Sequence, residues 1–177
     1  RSGGPRALWT GSAGYAPGLI GRAFGFDGRS ELVLPLVLPG SFTVQMWVRM
    51  DDVLQRAGTG IFGLEGQGTE SVNLQVNLDG RGNVAFTPGQ RGISLVLGPA
   101  AAHYQHLAVA YDRATSMASA YINGDLVGAG PWSGWPLSGE GSLVIGSGSG
   151  ESGGVTAPPF AGEVDEVQVF DRALDAD

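Results

Sequence analysis

Carboxylates are concentrated near the end of the chain, in Glu163-Val164-Asp165-Glu166-Val167. Hydrolysis of a glycosidic bond requires two carboxyl groups that flank the scissile bond. Because side chains alternate between the two faces of a strand, Glu163 and Asp165 would share one face and Glu166 would lie on the other. This segment is therefore the strongest candidate for a pair of catalytic carboxylates.

Two tryptophans lie in the segment Gly130–Pro136, whose glycines and prolines predict a loop. Flat aromatic side chains can stack on the apolar faces of sugar rings, and tryptophan adds a polar N–H group. Trp132 and Trp135 are therefore candidate ligand-binding residues. Alternatively, one or both cover a sheet edge or fill the end of the core, because tryptophan is highly buried on average. Trp47, in the middle of a predicted strand, is expected to pack.

Side-chain amides alternate with apolar residues in the segment Val72–Leu78. Amides both donate hydrogen bonds to sugar hydroxyls and accept hydrogen bonds from them, so a row of amides suits a carbohydrate groove. A solvated polar face explains the same pattern equally well. The candidate ligand-binding residues of this polar face, including two from a second strand, are Asn73, Gln75, Asn77, Gln45 and Arg49.

Composition narrows the possible chemistry. Ten basic residues, all arginine, stand against seventeen acidic ones, and a chain with a net charge of -7 is a poor binder of nucleic acid. Cysteine is absent, and the two histidines, His103 and His106, occur in no zinc-binding motif, so a catalytic zinc or a hydrolytic triad lacks support. No apolar run approaches the roughly 20 residues of a membrane-spanning helix, so no membrane insertion is expected.

Short strands must position these residues. Phe42–Met50 alternates apolar and polar residues at the strand period, and Asn123-Gly124 and Asp79-Gly80 predict tight hairpins. Tyr104–Tyr111 fits helical spacing as well as strand spacing. Many short strands in a chain with 31 glycines are typical of an all-β sandwich or jelly roll. The further predicted strands are Ala23–Asp27, Glu31–Leu34, Gly60–Glu65, Val84–Thr87, Ile93–Leu97, Leu107–Tyr111, Ala118–Ile122, Asp125–Val127, Ser142–Ile145 and Glu163–Phe170.

Five ordered segments together resemble the laminin-G-like, concanavalin A-like jelly-roll domains. They are Gly21–Gly28, Phe42–Arg49, His106–Asp112, Tyr121–Gly124 and Phe160–Leu174. The resemblance implies an all-β, two-sheet antiparallel jelly-roll sandwich and makes the ambiguous Tyr104–Tyr111 segment a strand. Tyr104-Gln105-His106 departs from the Trp-His-His that is frequent in the family, but it retains an aromatic residue.

The resemblance also bears on catalysis and metal binding. Glycosidases of this superfamily carry Glu, Asp and Glu at alternate positions of one strand face, whereas here the third alternate position is Val167. In relatives, an acidic residue of the closing strand and the Asp of Phe-Asp-Gly can bind calcium, which implies a structural calcium held by Asp27 and Asp165. In the alternating pattern Asp165 shares the core-facing side with Val167 and Val169, where it needs a cation or donors. The alternatives are a turn residue at Asp27 and a hydrogen-bonded or arginine-paired Asp165.

These observations favour a non-catalytic carbohydrate-binding, lectin-like or adhesion module of an extracellular or cell-surface protein, with a glycan or protein ligand. The alternative is a structural or protein-interaction domain without a sugar site, and a polysaccharide hydrolase or lyase is disfavoured by Val167. Residues 1–177 are expected to form one domain. The ending, Arg172–Asp177, reads as the first turn of a further element, so we expect the domain to belong to a larger protein.

Overall fold

The computed structural model describes residues 6–12, 14–66, 71–76, 80–88, 94–132, 139–147 and 158–175. These residues form two antiparallel sheets of seven strands each, which confirms the predicted all-β sandwich. No helix among them could span a membrane. The strands are β1 Leu8–Thr10, β2 Gly14–Pro17, β3 Arg22–Asp27, β4 Glu31–Leu38, β5 Phe42–Met50, β6 Thr59–Glu65, β7 Ser71–Val76, β8 Asn83–Pro88, β9 Leu95–Pro99, β10 Gln105–Asp112, β11 Met117–Ile122, β12 Asp125–Pro131, β13 Gly139–Ile145 and β14 Ala161–Phe170.

Sheet A has the strand order β1-β4-β13-β6-β7-β8-β9, and sheet B has the order β12-β11-β10-β5-β14-β3-β2. Each predicted strand corresponds to one of these, and the ambiguous Ala-rich segment is strand β10. The Asn123-Gly124 hairpin is confirmed, since both residues have positive φ, as a two-residue type I′ turn requires. Asp79 of the other predicted hairpin lies outside the described residues.

One hydrophobic core fills the space between the sheets, and alternation along each strand supplies it. In β5, Val44, Met46 and Val48 are buried, whereas every second residue from Gln45 to Arg49 faces outward. In β7, Val72 and Leu74 point into the same core. Since both strands turn their apolar side chains inward, their polar side chains lie on opposite outer faces of the sandwich.

The start of the chain crosses from one sheet to the other. Strand β1 pairs with β4 at the edge of sheet A, and β2 pairs with β3 at the edge of sheet B. Trp9 lies on this side, with its ring centroid 5.5 Å from that of Phe24 and 6.0 Å from that of Phe26. This aromatic cluster covers the side of the sandwich where the chain changes sheets. Strands β1 and β2 were not predicted, because three or four residues are too few to show a period.

Trp132 belongs to the core. Its side chain is 6% exposed, and its ring lies 4.5 Å from the Tyr111 ring and about edge-on to Phe42 and Phe86, at 6.4 and 6.1 Å. Its backbone N–H donates to the carbonyl of Ser116, which fixes the chain directly after β12. The prediction of an exposed, sugar-binding Trp132 is therefore wrong, and the alternative that it fills the end of the core is correct. Trp135 lies outside the described residues.

Strand β14 contains a bulge that sets the pattern of its side chains. Its register with β5 shifts between Asp165 and Gln168, and Glu166 adopts a φ of 49°. Val164 is fully buried, Asp165 lies directly opposite Trp47, and after the extra residue Gln168 lies opposite Gln45. Asp165 is therefore on the outer face and not on the core side, contrary to the alternating pattern, and the bulge is the reason.

We expect Trp132→Ala to lower the free energy of unfolding by about 3–5 kcal/mol, because it removes a large side chain that packs against three aromatic rings. Urea unfolding followed by fluorescence measures the change. Trp132→Phe should retain a larger part of the stability. An unchanged midpoint for Trp132→Ala would contradict the assignment to the core.

A second stability prediction concerns Gly146, which has a φ of 86° and would place a Cβ 2.2 Å from the Phe26 ring. We expect Gly146→Ala to cost about 2–4 kcal/mol, since the residue is strained in this conformation and the ring must move. Thermal unfolding measures it. Gly14→Ala is the matched control, because a Cβ there meets nothing within 4 Å, and equal effects of the two substitutions would refute the steric explanation.

Candidate functional site

The outer face of sheet B carries a group of partly exposed aromatic and polar side chains at its centre. Strand β5 is flanked by β10 and β14, so residues directly opposite one another on these three strands share this face. We call this group the outer platform, and it consists of Gln45, Trp47, Arg49, His106, Glu163 and Gln168.

An aromatic pair lies in the middle of the outer platform. Trp47 and His106 are directly opposite on β5 and β10, and their ring centroids are 5.2 Å apart with an interplanar angle of 57°. Both rings are partly exposed. Burial lowers the pKa of His106 below its usual value, because desolvation disfavours the imidazolium. At neutral pH the pair is therefore an uncharged aromatic surface.

An ion pair lies one row along the strands. The guanidinium of Arg49 donates two hydrogen bonds, from Nε and Nη2, to the carboxylate of Glu163, which lies directly opposite on β14. The hydroxyl of Tyr104 donates to the same carboxylate at 3.1 Å. The hydrogen bond from Arg49 lowers the pKa of Glu163, and burial together with the charge of Glu163 raises the pKa of Tyr104 to about 12. The charges in this row compensate each other, and the phenol stays protonated.

A pair of amides lies on the other side of the aromatic pair. Gln45 donates from Nε2 to Oε1 of Gln168 at 2.9 Å. The residue opposite Gln45 on β10 is Ala108, and the residue opposite Ala108 on β11 is Tyr121. Because the Ala108 side chain is small, the surface of the sheet forms a shallow depression between the amide pair and Tyr121. The next row ends the platform, because Thr43 is buried and binds the backbone of residues 172–174.

The bulge in β14 changes the comparison with a glycosidase. The outer-face sequence of this strand is Glu163, Asp165 and Gln168, so the third position is occupied by an amide and not by Val167, which packs partly against the core. Glu163 is paired with Arg49. Asp165 is 4% exposed. Neither carboxylate on this face of β14 is therefore free for acid–base work, and the third position lacks an acid for a different structural reason than the sequence indicated.

Asp165 holds the turn between β2 and β3. Its Oδ2 accepts a hydrogen bond from the N–H of Ile20 at 3.0 Å, and its Oδ1 accepts one from the N–H of Glu166 at 2.9 Å. Backbone donors therefore compensate the burial of this carboxylate. The hydrogen-bonded alternative for Asp165 is the one observed.

Asp27 and Asp165 do not come together. Asp27 lies opposite Ala161 in the register of β3 and β14, four residues from Asp165, which is about 13 Å at the rise of a strand. Calcium needs oxygen ligands at about 2.3–2.6 Å, so the two carboxylates do not fit one ion. Oδ1 of Asp27 instead accepts from the N–H of Arg29 and the hydroxyl of Ser30 as a turn residue, and the bond from Ser30 lowers its pKa. Among the described residues no group of three or more metal-ligating side chains occurs.

The amides of β7 lie on the opposite side of the sandwich from the outer platform. Asn73 and Gln75 face outward from sheet A, and Gln75 is already bonded to the carbonyl of Gly58 and to the hydroxyl of Thr87. They therefore cannot form one groove with Gln45 and Arg49, as the sequence suggested. Asn77 lies outside the described residues.

Sequence reasoning missed most of the outer platform. It included Gln45 and Arg49 but assigned Trp47 to packing and gave His106 no role. The alternation of β5 was the available signal, because it places Gln45, Trp47 and Arg49 on one face. The partners Glu163 and Gln168 depend on the register of distant strands, which the sequence of one chain does not reveal.

Solved structures similar to this one share its fold. Domain 4 of AbnA, a GH43 extracellular arabinanase from Geobacillus stearothermophilus in complex with arabinotriose, is 23% identical, has a TM-score of 0.77 and covers 96% of this chain and 84% of its own. A native heptameric SAP-like pentraxin from Limulus polyphemus is 20% identical with a TM-score of 0.61, over 86% and 73% of the two chains. The CBM40 of the Ruminococcus gnavus IT-sialidase is 16% identical, with a TM-score of 0.61, over 77% and 78%.

Comparison of the sequence with curated proteins gives no significant match. A family model, described as the concanavalin A-like lectin/glucanases superfamily, matches residues 27–177. This match covers β4 to β14 and so includes every strand that contributes to the outer platform. Together with the two-sheet fold, it identifies the chain as a member of the laminin-G-like family within the concanavalin A-like lectin/glucanases superfamily.

Proposed function

We propose that the protein is a non-catalytic carbohydrate-binding module, and that it binds a neutral oligosaccharide on the outer platform. The observation that carries this proposal is the partly exposed Trp47–His106 pair, flanked by hydrogen-bonding amides. A sugar ring has apolar C–H faces and a rim of hydroxyls. An aromatic surface beside amides therefore complements both parts of it.

Binding without cleavage is supported by the outer face of β14. A retaining or inverting glycosidase needs two carboxyl groups on either side of the bond. Gln168 takes the position where a second acid would be required, and it is bonded to Gln45. Glu163 is held as a carboxylate by Arg49 and Tyr104, so it is a poor proton donor at neutral pH.

The charge of the outer platform favours a neutral ligand. Arg49 is compensated by Glu163, and His106 is uncharged at neutral pH. The net charge of the chain is -7, which works against sialic or uronic acid ligands at long range. Similar folds come from a domain in complex with arabinotriose and from a CBM40, and the parent of the first is an extracellular enzyme. These relatives support an extracellular glycan-binding role and make linear arabino-oligosaccharides the first probes.

We expect Trp47→Ala to weaken glycan binding by at least about tenfold, because it removes the larger ring of the aromatic pair. Isothermal titration with arabinotriose and with the glycans selected on a neutral glycan array measures the loss. Tyr15→Ala is the matched control, since Tyr15 is an exposed aromatic residue on β2, away from the outer platform. Its affinity should equal that of the wild type.

The same titrations separate the alternatives. Loss of binding in Asn73→Ala but not in Trp47→Ala would move the site to the outer face of sheet A. Silence across the array would contradict the carbohydrate proposal and leave the protein-interaction domain. Release of reducing sugar from a bound polysaccharide would overturn the non-catalytic assignment.

The ion pair of the outer platform gives a pH prediction for stability. Because the pKa of Glu163 is lowered in the folded state, its contribution is complete above the ordinary value of 4.5 and is lost as the pH falls through the lower folded pKa. Glu163→Gln should therefore reduce the melting temperature at pH 7, and the difference from wild type should shrink below pH 4.5.

Differential scanning calorimetry between pH 3 and pH 8 provides this comparison. Glu140→Gln serves as the control, because Glu140 is an exposed glutamate on β13 of sheet A. A difference between Glu163→Gln and wild type that stays constant over this range would show that the carboxylate is not held by Arg49.

A further inference from the structure

The turn between β2 and β3, residues Gly18–Gly21, presents two apolar side chains to solvent. Leu19 is 47% exposed and Ile20 is 63% exposed. Single exposed apolar residues are common on protein surfaces, but here two neighbours form the tip of one turn. A fixed backbone would hold both side chains in one place, whereas a flexible turn would not.

Two hydrogen bonds fix the turn. The N–H of Gly18 donates to the carbonyl of Gly21 at 3.2 Å and closes it. The N–H of Ile20 donates to the buried carboxylate of Asp165. The hydroxyl oxygen of Tyr104 lies 3.4 Å from the carbonyl oxygen of Pro17, directly before the turn, but its single proton is donated to Glu163 at the shorter distance of 3.1 Å. The turn is therefore hydrogen-bonded to β14, and the chain directly before it lies close to Tyr104, which precedes β10.

Close packing at Gly18 adds a steric constraint. A Cβ at this position would lie 2.5 Å from Oδ2 of Asp165 and 2.8 Å from the backbone nitrogen of Ala23. Gly21 has a φ of 69°, a conformation that favours glycine. Two glycines and a buried acid thus hold the exposed tip, Leu19 and Ile20, in one place.

The position of the turn relative to the aromatic pair follows from the register. Asp165 lies directly opposite Trp47 on the same outer face, so the backbone bound to Asp165 stands over β14, the strand next to Trp47. Neighbouring strands are about 4.8 Å apart, which is close to the width of one sugar ring. Across the sheet, the order is therefore His106 on β10, Trp47 on β5 and the turn above β14.

The geometry points to the turn Gly18–Gly21 as a second ligand-contacting element, an apolar wall that binds the sugar unit next to the one stacked on Trp47, with Asp165 as its positioning residue. This inference rests on the proposed carbohydrate-binding function. It adds that the ligand has at least two linked, uncharged sugar units and turns C–H groups toward Leu19 and Ile20. An acidic sugar at this position would lose the hydration of its charge against apolar side chains.

The test compares Leu19→Ser/Ile20→Ser with wild type, using linear arabino-oligosaccharides of one to six units and the array-selected neutral glycans. We expect the affinity for chains of two or more units to fall about tenfold, with little change for the monosaccharide and an unchanged melting temperature. Leu54→Ser/Val37→Ser is the matched control, because these residues are 62% and 75% exposed, Val37 pairs with Glu140 in sheet A and Leu54 lies against Gly82. It should bind like wild type.

Each outcome has a separate meaning. If Trp47→Ala abolishes binding but Leu19→Ser/Ile20→Ser does not weaken it, the wall is refuted and the proposed function stands. If no glycan binds at all, both fall. If Leu19→Ser/Ile20→Ser keeps its glycan affinity but no longer sediments with phosphatidylcholine vesicles as the wild type does, the turn binds a lipid surface and the inference is overturned.

The role of Asp165 needs a readout beyond stability. In Asp165→Ala the amide hydrogen of Ile20 should exchange faster with solvent, and the affinity for two or more units should fall while monosaccharide binding persists. Asp165→Asn keeps one acceptor oxygen and should recover part of both effects. Equal loss of monosaccharide and oligosaccharide binding in Asp165→Ala, with normal exchange at Ile20, would contradict a positioning role.

Discussion

The extra residue in β14 is the constraint on which the outer face of sheet B depends. Glu166 takes a left-handed conformation, and the register with β5 shifts by one residue after Asp165. Before the shift, Glu163 and Asp165 lie on the outer face, and after it Gln168 does. Without the bulge Val167 would lie outside, Gln168 would point into the core, and the amide pair with Gln45 could not form. One backbone irregularity thus decides which chemistry the face presents.

The bulge also places the carboxylate of Asp165 where it stabilises the turn between β2 and β3. Asp165 is buried although it is on the outer face, since the β2–β3 turn covers it and supplies a donor. Glu163, two residues earlier, is compensated by Arg49. Both carboxylates of this face are therefore committed to holding neighbouring parts of the chain. Beside the partly exposed, charge-compensated guanidinium of Arg49, the accessible side chains are two aromatic rings, two amides and two aliphatic side chains.

The sequence was sufficient for the fold because burial in a sandwich follows a period of two. The alternation in β5 and β7 correctly predicted which side chains enter the core. The alternation failed for β14, because a glutamate at position 166 does not predict a positive φ. The one-residue shift that follows moves every later side chain of the strand to the opposite face. The sequence prediction failed for Trp132 because the glycine- and proline-rich segment Gly130–Pro136 was interpreted as a loop. The first two residues of this segment in fact belong to β12. The division of the amides between two faces depends on strand order, which local pattern does not contain.

The crossing of the chain start from sheet A to sheet B has an evolutionary consequence. The matched family region begins at residue 27, so the floor formed by β5, β10 and β14 belongs to the common framework, while the β2–β3 turn lies in the preceding segment. That segment is attached to the framework by the pairing of β1 with β4 and of β3 with β14, by Phe26 in the core and by the hydrogen bond from Ile20 to Asp165. The exposed side chains Leu19 and Ile20 can therefore change in evolution without disturbing the hydrogen-bond ladder of β5, β10 and β14, because that ladder does not include the turn.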